Sequence, residues 1–244
     1  MSDDGIRLAK RVAEIAACSR AEAERYIAGG WVSVDGSVEE EPATRVTAAQ
    51  QVALLAGARA EEPAPVTILL HKPAGFNSGV GVRGQPAIEC LGPDTLVQAE
   101  HGKMRFLKRH LARLTLTSPL ETDASGLVVY TQDFRVARKL VDDGARVEQE
   151  YVVEVEGQIR DGGLALLNHG LSFNGKPLAP MKVSWQNETR LRFALKDVRP
   201  GQIDHMCRQV GLTVTDMKRI RIGRISMASL PVGQWRYLHE YERF

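Results

Sequence analysis

From Ile6 onward, apolar residues recur at helical spacing, with Leu8, Val12, Ile15 and Ala16 on one face, so the chain is predicted to open with a helix. Ser19 is placed to cap a second helix through Ala21, Ala23 and Ile27, and Gly29-Gly30 stops it. Trp31–Val34 and Ser37-Val38 then flank Asp35-Gly36, the pattern of a hairpin with a tight turn. The stretch Ala56–Pro65 holds small, charged and proline residues without apolar periodicity and reads as a linker. Beyond it the period changes. Strand-like runs at Val66–Leu70, Leu127–Tyr130, Tyr151–Val155, Met181–Trp185 and Leu191–Leu195 alternate with fewer helical stretches, chiefly Phe134–Val141 and Ile203–Val210. That order predicts an α+β fold with a mixed, largely antiparallel sheet, not a doubly wound one. The expected domains are 1–57 and 66–244, joined by a linker at 58–65.

Of the 244 residues 43% are apolar and 25% charged, which suits a globular chain with a sizeable core. No apolar run approaches the roughly 20 residues of a membrane span. The opening M-S-D-D-G lacks the basic-then-apolar order of a signal peptide, so a cytoplasmic protein is expected. Cys18, Cys90 and Cys207 are widely spaced and the histidines scattered, so neither a disulfide framework nor a metal site is indicated. Neither a P-loop nor a G-x-G-x-x-G turn is present, and no cofactor is expected. The net charge of +2 is small, but its distribution is uneven. Five Lys or Arg residues and no acid lie between His101 and Arg113, and Lys218, Arg219, Arg221 and Arg224 are opposed only by Asp216. Such clusters attract polyanions.

Candidate chemistry concentrates in S-P-L-E-T-D-A-S-G-L-V-V-Y-T, residues 118–131, where Glu121 and Asp123 sit on a polar loop that runs into an apolar strand. This stretch resembles the catalytic loop of the RNA pseudouridine synthases, R-L-D-x-D-x-x-G-L, with Pro119 in place of the arginine and Glu121 in place of the aspartate. Further motifs follow in the family's order: Lys72-Pro73-x-Gly75, Glu150-Tyr151-x-Val153, Arg221-Ile222, and Leu230-Pro231-x-Gly233-x-Trp235-Arg236-x-Leu238. The first segment, with Arg7, Leu8 and Lys10, then Ser19–Glu24, then Gly30–Gly36, resembles the S4 RNA-binding domain. On these residues the chain is similar to the S4-containing ribosomal RNA pseudouridine synthases.

The resemblance implies a cofactor-free isomerisation of uridine in structured ribosomal RNA, with no membrane partner, by a protein expected to be a monomer. It implies catalytic roles for Glu121, or alternatively Asp123, and for Tyr151 as a platform for the flipped base. Leu120, Gly126, Gln202, Ile203 and Asp204 fall on pocket motifs. Arg7, Lys10, Arg11, Arg20, Arg25, Lys72, Lys103 and Arg105 are the expected RNA contacts. The family's late motif N-R-Q-I-R-R-M reads P-G-Q-I-D-H-M here, with Asp204 where an arginine partner for the carboxylate is expected. Glu121 and Asp204 would then face each other as like charges. The alternative function is a catalytically degenerate RNA-binding or ribosome-assembly factor.

Overall fold

The computed structural model describes residues 5–98, 104 and 106–244. The chain divides into two compact units, Met1–Pro65 with Gly102–Arg113, and Val66–His101 with Leu114–Phe244.

In the first unit, β1 (Ile6–Arg7) leads into α1 (Leu8–Ala16) and α2 (Arg20–Ala28). The second helix starts with a reciprocal capping box. Ser19 Oγ accepts the Glu22 N–H at 3.2 Å, while Glu22 Oε2 accepts the Ser19 N–H at 2.9 Å. Strands β2 (Val32–Val34), β3 (Ser37–Val38), β4 (Arg45–Val46) and β5 (Val52–Leu54) follow, and β2 pairs with both β3 and β5. Asp35 and Gly36 both have positive φ, 51° and 84°, the turn whose twist suits a two-residue hairpin. Leu8, Val12, Ala23, Ile27, Val32 and Val46 form the core of this unit.

The second unit contains β6 (Thr67–Lys72), β7 (Phe76–Asn77), β8 (Gln85–Pro86), β9 (Thr115–Leu116), β10 (Ser125–Thr131), α3 (Phe134–Val141), β11 (Gln149–Gly157) and α4 (Gly163–Asn168). It continues through β12 (Ser172–Phe173), β13 (Lys176–Pro177), β14 (Lys182–Trp185), β15 (Arg190–Leu195), α5 (Gln202–Gln209), β16 (Leu212–Ile222), β17 (Ile225–Ser226) and β18 (Trp235–Tyr237). Nine strands form one sheet in the order β14-β15-β11-β16-β10-β6-β18, with β17 beside β16 and β9 beside β10. The pairing of β10 with β16 is parallel, and the other pairings of this sheet are antiparallel. The fold is therefore mixed α+β with a mostly antiparallel sheet.

Helix α3 packs its Leu140 and Val136 onto a core with Leu69, Leu127, Val129, Ile222 and Leu230, while α5 lies against β16. The central strand β16 carries Lys218, Arg219 and Arg221 of the second basic cluster, with Arg219 buried inside the sheet. Among the described residues no helix is long and apolar enough to cross a membrane.

Candidate active site

Strand β10 begins directly after the loop that carries Glu121, and its parallel partner β16 brings Arg219 beside it. The approach depends on Gly126. At φ 117° its backbone runs so close that a Cβ would lie 2.3 Å from the Arg219 carbonyl oxygen. Gly126 is thus a sheet residue and not a lining residue of the pocket, correcting the expectation from its motif.

A cavity of about 390 Å³ opens at this end of the sheet. It is lined by Ser118, Pro119 and Glu121 of the loop, Gln149 and Tyr151 of β11, Arg219 and Ile222 of β16, Leu140 and Val141 of α3, Asp197–Pro200 before α5, and Gly79-Val80. Of the expected site residues, Glu121 and Tyr151 meet here. Asp123 is exposed and does not line the cavity. Leu120, Gln202 and Ile203 are buried behind the lining. Leu120 is tied to Ser78, whose hydroxyl donates to the Leu120 carbonyl at 3.0 Å, and Gln202 Oε1 accepts the Arg199 N–H at 3.1 Å.

Half-buried Glu121 accepts the backbone N–H of Gly201 on Oε1 at 2.9 Å. Gly201 is the N-cap of α5 and sits in the left-handed region at φ 75°. Its amide and the positive end of the helix dipole both favour a carboxylate at that point. Asp204 turns to Arg208, one helical turn on, with Arg208 Nη2 and Asp204 Oδ2 2.6 Å apart. Asp204 is no lining residue, and the expected confrontation of two carboxylates gives way to two separately satisfied ones.

Arg219 is 1% exposed and was visible in the sequence only as one member of a basic run. Its Nε donates to the Leu127 carbonyl at 2.8 Å, Nη2 to the Ser118 carbonyl at 2.6 Å, and Nη1 to the Pro119 carbonyl at 3.0 Å and Gln149 Oε1 at 3.2 Å. Nη1 also lies 3.4 Å from the Tyr151 hydroxyl, which itself donates to Gln149 Oε1 at 2.8 Å. These partners are all neutral, so the guanidinium brings a buried positive charge to the cavity. Burial raises the pKa of Tyr151, the Arg219 charge opposes that rise, and the Glu121 charge adds to it. The phenol stays protonated at neutral pH and presents a neutral ring to the cavity.

Lys72 was expected to touch RNA, but it is 0% exposed. Its Nζ donates to the carbonyls of Pro73 at 2.9 Å, Phe76 at 2.8 Å and Thr122 at 3.1 Å, so it clamps the residue after Glu121 to the β6–β7 turn. Desolvation, with repulsion from Arg219, lowers its pKa to about 8. A neutral amine has only two N–H groups for these three acceptors. Activity is therefore expected to fall above about pH 8, and Lys72→Met should lose both that alkaline limb and most of the activity, measured as kcat/KM against pH. The stability effect has the opposite sign. Between about 8 and the ordinary 10.5 the unfolded chain binds the extra proton, so the contribution of Lys72 to stability rises with pH across that window. The difference in unfolding free energy between wild type and Lys72→Met measures it.

In the first unit Arg7, Lys10, Arg20 and Arg25 are exposed on or beside the two helices and Arg11 is half-exposed. Arg20 is held by Glu24 at 3.1 Å and Arg11 lies 3.8 Å from Glu14. Lys103 and Arg105 lie outside the described residues.

No protein-family model matches the chain. Over 246 residues, covering 99% of this chain and 78% of the relative, it is 28% identical to the dual-specificity RNA pseudouridine synthase RluF of Salmonella typhi. Over 241 residues, covering 97% of this chain and 98% of the relative, it is 27% identical to the ribosomal small subunit pseudouridine synthase A of Escherichia coli K12. Over nearly its whole length the chain is similar to RNA pseudouridine synthases. A crystal structure of pseudouridylate synthase shares the fold, with a TM-score of 0.59, 18% identity and 96% of each chain covered. The cavity holds a carboxylate on the loop, and an aromatic ring on the strand, that the sequence motifs single out. What sequence reasoning missed is Arg219, and the backbone amide of Gly201, which has no side chain to reveal it.

Proposed function

We propose that this protein isomerises specific uridines to pseudouridine in structured ribosomal RNA, with Glu121 as the working carboxylate. The observation that carries the reading is the convergence of Glu121, Tyr151 and Arg219 on one cavity large enough for a flipped base. Asp123 is exposed and outside the lining, which favours Glu121 over it. The Gly201 amide fixes the carboxylate at the loop end of the cavity, where it can act on the ribose of the target nucleotide. Tyr151 offers the face on which the uracil rests while its bond to the sugar is broken and the ring turns over. Arg219 supplies a preorganised positive charge for negative charge that develops on the detached base. No cofactor takes part.

Residues 1–57 act in this reading as an S4 RNA-binding domain, with Arg7, Lys10, Arg11, Arg20 and Arg25 contacting phosphates by charge and position. In this reading the protein acts as a cytoplasmic monomer. The test is incubation with unmodified ribosomal RNA tritiated at uridine C5, from which isomerisation releases the label to water. Release is expected from the wild type and from Asp123→Ala, and not from Glu121→Ala. RNA that is bound without any release by the wild type would refute the catalytic reading and leave a binding protein.

A further inference from the structure

Helix α3 borders the cavity with Leu140 and Val141, and its outer face is unlike that of an ordinary solvated helix. Phe134 is 75% exposed and Val141 56% exposed, and Arg135, Arg138 and Lys139 are exposed between them. Positions 134, 138 and 141 share one face of a helix, so Phe134, Arg138 and Val141 form a stripe about 10 Å long that ends at the cavity. Asp133 neutralises Arg135 at 2.9 Å. Among the described residues nothing pairs with Arg138 or Lys139. The buried side of the helix, Val136 and Leu140, already holds it to the core, so packing does not account for the exposed phenyl ring.

An aromatic face, unpaired cations and a direct path into a cavity are the elements that bind single-stranded nucleic acid: bases stack on the ring and phosphates follow the cations. We infer that α3 is the platform for the nucleotides that flank the target uridine, with a neighbouring base stacked on Phe134 and the intervening phosphate on Arg138. This rests on the reading that the cavity receives a nucleotide of RNA. A base flipped into the cavity leaves its neighbours at the rim, and α3 is the rim element that offers them both a π-face and positive charge. The surface would sense whether the strand beside the target is unpaired, because a base held in a duplex has no free face for Phe134.

Binding of the full chain to unmodified ribosomal RNA transcripts, followed between about 50 and 200 mM salt, separates the two contributions. Phe134→Ser is expected to weaken binding roughly tenfold with the salt dependence unchanged, as loss of one stacked base requires. Arg138→Gln should make the slope of log K against log salt shallower by about 0.7, the loss of one single-strand phosphate contact. Both side chains are exposed, so neither variant should shift the unfolding midpoint. Wild-type binding matched by both variants in affinity and slope would overturn the inference while leaving the catalytic reading intact. A wild type that does not bind RNA would overturn both.

Discussion

Shortening the carboxylate by Glu121→Asp is expected to lower the rate of isomerisation about a hundredfold, although aspartate is the residue found in the loop motif that this chain resembles. The reason is local. Glu121 reaches the Gly201 N–H at 2.9 Å, and removing one methylene draws the carboxylate back by roughly 1 Å, beyond hydrogen-bond range of that amide. Where the motif supplies an arginine partner this chain has Asp204, which turns away to Arg208, and the Gly201 amide does the holding instead, which the longer acid fits. Glu121→Gln should abolish turnover, because it keeps the shape and removes the charge. Single-turnover tritium release measures both, with RNA affinity as the control. An aspartate variant as fast as the wild type would show that the Gly201 contact does not position the acid.

Replacing Arg219 should cost the fold as well as the reaction. Arg219→Met leaves the carbonyls of Ser118, Pro119 and Leu127 without their donor and removes the link to Gln149 and Tyr151. Unsatisfied buried acceptors cost about 1 to 3 kcal/mol each, so a loss of roughly 3 to 5 kcal/mol is expected after relaxation and entry of water. A lower urea midpoint at unchanged slope would record it. Arg219→Lys keeps the charge but has three donors and no planar fork, and should fall between the two. Because Ser118 and Pro119 lead directly into Glu121, release should fall further in Arg219→Lys than its stability loss alone would produce at a temperature where the variant stays folded. Release that merely tracks the folded fraction would assign Arg219 a structural role only.

Much of this architecture was legible in the residues. The Ser19 cap, the Asp35-Gly36 turn and the helical stretch Phe134–Val141 are local signals, and local hydrogen bonding and packing honour them. The central strand was not legible, because β16 holds Asp216, Lys218, Arg219 and Arg221 within eleven residues and reads as a charged surface run. Its two arginines are accommodated by neighbours: Arg221 binds Glu148 and Glu150 of the adjoining segment, and Arg219 is surrounded by carbonyls. Such partners lie some 70 to 100 residues away, and no periodicity reveals them. Lys72 shows the same limit, since a lysine in a sequence suggests a surface and only the three converging carbonyls show a clamp. The supposed clash of Glu121 with Asp204 failed for a simpler reason. Alignment to a motif ignored Arg208, four residues on, which was already there to be read.

The placement of β16 also bears on how the protein comes into being. Strands β10 and β11 follow one another in the chain yet never pair, and the two halves of the large sheet meet only through β16 between them. A growing polypeptide must therefore keep the strands from Thr67 to Leu195 waiting until Ile222 has left the ribosome, with pairing edges open in the meantime. Long-range closure of this kind slows folding and exposes the nascent chain to aggregation or to chaperones. It also means that a product ending before Ile222 could not hold the site, because the acid enters on one half of the sheet, the phenol on the other, and the cation on the strand that joins them.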